Sequence, residues 1–89
     1  MERPTAKIEF WNSRKRPHVI SVEPWGEDFT LLPEEKLEVV AWGNSENPHF
    51  TAVESEDGTQ IYIDGAQEFA VNQDGKRIEC GHKRQGHDA

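Results

Sequence analysis

The sequence predicts an all-β domain, a small antiparallel β-sandwich of seven or eight short strands, and three observations carry that expectation. Apolar and polar side chains alternate at period two through a series of β-branched and aromatic runs. Turn dipeptides separate the runs, with Asp57-Gly58, Asp64-Gly65 and Asp74-Gly75 dividing the last third of the chain as hairpin turns would. The one stretch that opens like a helix, Pro33 to Trp42, places Leu37, Val39 and Ala41 two residues apart, and its Val39-Val40 pair restricts χ1. It therefore reads as a strand. A closed or partly open barrel is the alternative way to cover the same apolar faces.

The first run, Lys7 to Trp11, alternates as a half-buried strand does and ends in Asn12-Ser13-Arg14-Lys15-Arg16, which reads as a hairpin loop. His18 to Glu23 is rich in β-branched residues, and Pro24 stops it because proline cannot donate to a ladder. Trp25-Gly26-Glu27 is a connection. Asp28 to Leu32 is extended again, and Pro33-Glu34-Glu35 suits a type I turn with proline at its second position. In Lys36 to Trp42, Leu37, Val39 and Ala41 face one way and Glu38, Val40 and Trp42 the other. Gly43 to Pro48 is a loop by composition. Phe50 to Glu54, Thr59 to Ile63, Gln67 to Asn72 and Lys76 to Cys80 complete the set.

The expected core is Ile8, Phe10, Ile20, Val22, Phe29, Leu31, Leu37, Val39, Phe50, Ala52, Ile61, Ile63, Phe69, Val71 and Ile78. A single sheet would leave one apolar face wet, so two layers must cover each other. At 89 residues the chain holds one core, and an apolar share of 34% makes that core thin. Residues 1–80 are expected to form the sandwich. From Gly81 to Ala89 no apolar side chain precedes the terminal alanine, which predicts a flexible tail.

The only cysteine, Cys80, has no partner for an internal disulfide, and the residues after Met1 contain no apolar signal region, so a soluble cytoplasmic protein is expected. No run approaches the length of a membrane span. The net charge is −7, and from Pro17 to Gly75 thirteen carboxylates face a single lysine, Lys36. Such a field repels phosphate backbones and argues against nucleic acid as a partner. It serves solubility or attracts a basic partner.

Ile8 to Arg16, His18 to Val22, Trp25-Gly26-Glu27 and Leu31-Leu32-Pro33 follow the order strand, Asn-polar turn, strand, Leu-x-Pro turn. In that order the chain resembles small uncharacterised bacterial proteins and, more distantly, the start of the von Hippel–Lindau β domain. The second resemblance covers about a third to half of the chain, on motifs generic for sandwiches. It implies a seven- or eight-stranded sandwich and nothing of that family's cellular role, because its helical ubiquitin-ligase-recruiting part has no counterpart here.

Four aromatic residues are the candidate binding residues: Trp11, Trp25, Trp42 and Tyr62. Trp11 shares its parity with Lys7 and Glu9, Trp42 shares its parity with Glu38, Tyr62 alternates outward from Ile61 and Ile63, and Trp25 lies in a connection. Exposed aromatics give a contact surface area at low entropy cost, whereas the same rings under loops only cover the sandwich. The expectation is a non-catalytic module acting through contact with a protein partner or, through Val40 and Trp42, with a second copy as a homodimer. The alternative is a small-ligand-binding or enzymatic domain with an aromatic-lined pocket near Trp25 and Trp42.

Carboxylate pairs such as Glu27/Asp28 and Glu34/Glu35 fall in turns, where acids favour local solvation. No nucleophile elbow, phosphate loop or calcium loop is present. Cys80, His82 and His87 lack the fourth ligand and the spacing of a structural zinc site, so neither metal nor cofactor is expected. Arg14-Lys15-Arg16, Lys76-Arg77 and Lys83-Arg84 gather the positive charge near the chain ends, where they guard edge strands or hold an acidic partner.

Overall fold

In the computed structural model, which describes residues 3–56 and 58–79, the alternating runs become eight strands. They are β1 (Thr5–Trp11), β2 (His18–Glu23), β3 (Glu27–Leu31), β4 (Lys36–Trp42), β5 (His49–Glu54), β6 (Gly58–Asp64), β7 (Glu68–Gln73) and β8 (Lys76–Ile78). Two four-stranded sheets form, one in the order β1-β4-β7-β8 and the other in the order β3-β2-β6-β5. The architecture is the expected sandwich, not a closed barrel.

The pairing corrects three local expectations. Neighbouring strands run antiparallel except β2 and β6, which pair in parallel from Val19↔Gly58 to Glu23↔Tyr62. Asn12 to Arg16 is not a hairpin loop, since β1 pairs with β4 while β2 pairs with β3. Asp64-Gly65 is likewise a crossing between sheets: β6 already has β2 and β5 on its two edges, so the next strand has to leave the sheet. Genuine hairpins join β2 to β3, β5 to β6 and β7 to β8. In the last, Asp74 at φ 54° and Gly75 at φ 78° form the primed two-residue turn that Asp-Gly favours.

The turn after β3 also departs from expectation. Glu35 N–H donates to the Leu32 carbonyl at 3.0 Å, but Glu34 sits at φ 70°, which is type II geometry and not type I. An exposed, non-glycine residue in the left-handed region carries about 1–2 kcal/mol of steric cost. Glu34→Gly is therefore expected to raise stability by about 1 kcal/mol, read as a higher urea midpoint, with Glu34→Ala giving no such gain. Equal gains from both variants would assign the effect to charge.

The inner faces meet as the alternation requires. Ile20, Val22, Phe29, Leu31, Leu37, Val39, Ala41, Ile61, Ile63 and Val71 form the buried cluster, and Ile8, Phe10, Phe50, Phe69 and Ile78 pack against it half-buried. Ala52 is the exception to the expected core, because it lies exposed on β5 at the rim of its sheet. Buried polar residues also join elements, Asn12, His18, Thr59 and Gln73 among them. His18 Nε2 lies 2.8 Å from Thr59 Oγ1, tying β2 to β6. Asn12, 1% exposed, closes one end: its Nδ2 donates to the carbonyls of Arg16 at 2.8 Å and Leu31 at 2.9 Å, and its Oδ1 accepts from Arg14 N–H at 3.0 Å.

Candidate interaction surface

The four aromatic candidates do not converge. Trp11 and Trp42 share the outer face of the first sheet but stand at opposite ends of the β1/β4 pair, opposite Lys36 and Thr5 respectively. Six residues of strand separate them, about 20 Å. Trp11 is 55% exposed, whereas Trp42 is half-buried beside Val40, which is itself buried and offers little to a partner. Self-association through Val40 and Trp42 would have little side-chain surface to use there. Around them the face is charged, with Lys7 3.8 Å from Glu38 and Arg3 2.9 Å from Glu68.

Trp25, in the β2/β3 turn, tilts over Phe69 of β7 with ring centroids 4.7 Å apart and so covers one end of the sandwich. Neither Trp25 nor Trp42 lines the cleft nearby. That cleft, of about 540 Å³, opens beside Trp25 between β3 and β8, with Phe29, Phe69, Val71 and Ile78 as its apolar wall and Glu27, Arg77 and Glu79 around it. None of those charged groups is buried. Among the described residues no group of three His, Cys, Asp or Glu side chains could hold a metal ion. Cys80, His82, His87 and the expected tail lie outside the described residues.

Tyr62 is 40% exposed on the outer face of the second sheet, directly opposite Thr51 of β5. Val53, 50% exposed, is the diagonal neighbour on that face. Among the described residues these side chains border an open edge of the sheet, and β5 differs from the other three edge strands. Lys7 and Glu9 interrupt β1, Glu27-Asp28 begin β3, and Lys76-Arg77 make up most of β8. Charges of this kind discourage pairing with another chain. In β5 the four central residues, Phe50-Thr51-Ala52-Val53, are uncharged, and five of its six residues are exposed.

The hairpin determines which backbone groups of β5 are open. Ser55 N–H donates to the Gly58 carbonyl at 2.8 Å, so the pair 55/58 is a hydrogen-bonded one. Antiparallel pairs alternate, and in the β5/β6 register Thr51/Tyr62 and Val53/Gln60 share that state. The N–H and C=O groups of Phe50, Ala52 and Glu54 therefore point away from β6. Arg14 approaches the last of these residues, 3.7 Å from the Glu54 carboxylate.

Alternation cannot reveal such an edge, because it reports which face a residue takes and not which strand lies outermost. β2, a central strand, reads much like β5: both open on histidine, end on glutamate and carry no charge between. Comparison of the chain with protein-family models, with curated proteins and with solved structures finds no match. No helix is long and apolar enough to cross a membrane among the described residues.

Proposed function

We propose that this domain acts by protein contact and not by catalysis, and that its contact surface is the β5 edge with Tyr62 and Val53 beside it. The observation that supports this reading is the strand His49–Glu54 on a sheet edge left open among the described residues, uncharged from Phe50 to Val53 and exposed at five of its six residues. A strand added there gains main-chain hydrogen bonds along one line and side-chain contacts on alternate residues. Tyr62 is the sequence candidate that belongs to this surface. Trp11 and Trp42 belong to the charged outer face of the other sheet, and Trp25 covers the sandwich end. Small-ligand binding would use the β3–β8 cleft, whose walls among the described residues hold no buried titratable group to orient a substrate.

A photo-crosslinking side chain introduced at Val53 is expected to trap a partner of defined mass in the source organism, and one introduced at Trp11 is not. Adducts formed from position 11 and not from position 53 would overturn the assignment of the surface.

A further inference from the structure

We infer that the β5 edge, read above as the contact surface, is completed by a second copy of this chain paired antiparallel across a two-fold axis at Ala52. A two-fold axis normal to the sheet keeps each side chain on its own face, so residue i must oppose a residue of the same parity on the other copy. Three residues of β5, Phe50, Ala52 and Glu54, turn their N–H and C=O groups outward. Centring the axis on Ala52 uses all three. Ala52 meets Ala52 of the second copy, and Phe50 meets Glu54 of the second copy at either end, each as a hydrogen-bonded pair. Centring it on any other residue leaves at least one of the three without its counterpart within the strand.

Side chains agree with this register. On the outer face Thr51 stands opposite Val53 of the second copy, and Tyr62 lies next in the same row. The Val53 side chain, exposed in one copy, is flanked there by Thr51 of the other copy and by its own neighbour Gln60. The small Ala52 side chain occupies the axis, where its own image is the neighbour. Electrostatics select the same occupant. No charge lies between His49 and Glu54, so two copies bring no like charges together at the centre of the seam. Glu54, at the seam's end, is already faced by Arg14 at 3.7 Å. A basic peptide, the other partner that a net charge of −7 would attract, finds no carboxylate along Phe50 to Val53 to specify it.

Sedimentation equilibrium of the purified chain tests the inference. The expected result is a monomer–dimer equilibrium that reaches mostly dimer by about 1 mM protein. The dimer fraction should rise as salt screens the repulsion between two acidic bodies. Ala52→Pro removes an outward N–H that the β5/β6 ladder does not use, and Val53→Glu places two carboxylates about 8 Å apart across the axis. Both variants are expected to be monomeric with the circular dichroism of the parent, while Trp11→Ser stays dimeric. Should Ala52→Pro not fold, Val53→Glu and concentration-dependent amide protection at Phe50, Ala52 and Glu54 read the same contact. A chain that remains monomeric at about 1 mM, or a dimer that survives Val53→Glu, overturns the inference. A monomeric chain that still crosslinks from position 53 to a foreign protein overturns only the second copy and leaves the edge as the contact surface.

Discussion

Asn12→Ala is expected to lower the unfolding free energy by about 3 kcal/mol, enough to bring the thermal midpoint down by about 15 °C in a domain of this size. The side chain is 1% exposed and spends both amide hydrogens on main-chain carbonyls, those of Arg16 and Leu31, and its oxygen on Arg14 N–H. Alanine leaves three groups without these partners, at least one of them deep in the fold. The same residue is tied through its backbone to the turn before β4, donating from N–H to the Glu35 carbonyl at 2.9 Å and accepting from Glu34 N–H at 2.7 Å. Asn12→Asp is a sharper probe. It keeps the acceptor for Arg14 but sets an ionised oxygen against two carbonyls, so the folded state prefers the protonated acid and holds its pKa above the unfolded value of about 3.9. With the folded pKa raised, the stability contributed by the protonated form is complete below about pH 3.9 and is lost as pH rises through the folded pKa. Equilibrium urea unfolding across pH 3–8 checks it: the deficit against the parent should be greatest at neutral pH and shrink towards acid. A constant deficit would show that water has entered to solvate the carboxylate.

Gly43→Ala is expected to cost about 2–3 kcal/mol, the range for forcing extra volume into a filled site. Gly43 is buried where β4 leaves its sheet; its N–H donates to the Pro4 carbonyl at 2.8 Å and its carbonyl accepts from Arg3 Nε at 3.2 Å. A Cβ there would run into the carbonyl of Glu46 and lie 2.8 Å from the carbonyl oxygen of Gly65. Both obstacles are backbone, one in the β4–β5 crossing and one in the β6–β7 crossing, and neither can turn aside as a side chain would. Relief requires the two loops to part. Thermal unfolding of the variant reads the cost directly; a midpoint within a degree or two of the parent would show that the crossings have slack.

The difference between these two residues and the core illustrates what one sequence discloses. Leu37, Val39, Ile61 and Val71 were legible because each declares its face by parity, and burial follows once any second layer is present. Nothing in the run Asn12-Ser13-Arg14 distinguishes a buried asparagine that ties a sheet crossing from one at the tip of a solvated hairpin. Both use the same turn chemistry. The candidate surface divides in the same way. Tyr62 and Trp11 point outward as their parity requires, but the significance of Tyr62 depends on its cross-strand neighbour Thr51, and that is a matter of register.

Local sequence determined the strands, their inward and outward residues and the type of the Asp74-Gly75 turn, since each follows from steric preferences within a few residues. Only the tertiary structure decided which strands are neighbours, that β2 and β6 run in parallel, that Ala52 lies at a rim and that β5 is an open edge. The physical reason is that backbone hydrogen bonding is the same for every strand. A ladder carries no side-chain code beyond alternation, so partner choice is settled by how the crossings, anchored at Asn12 and Gly43, allow two apolar faces to close.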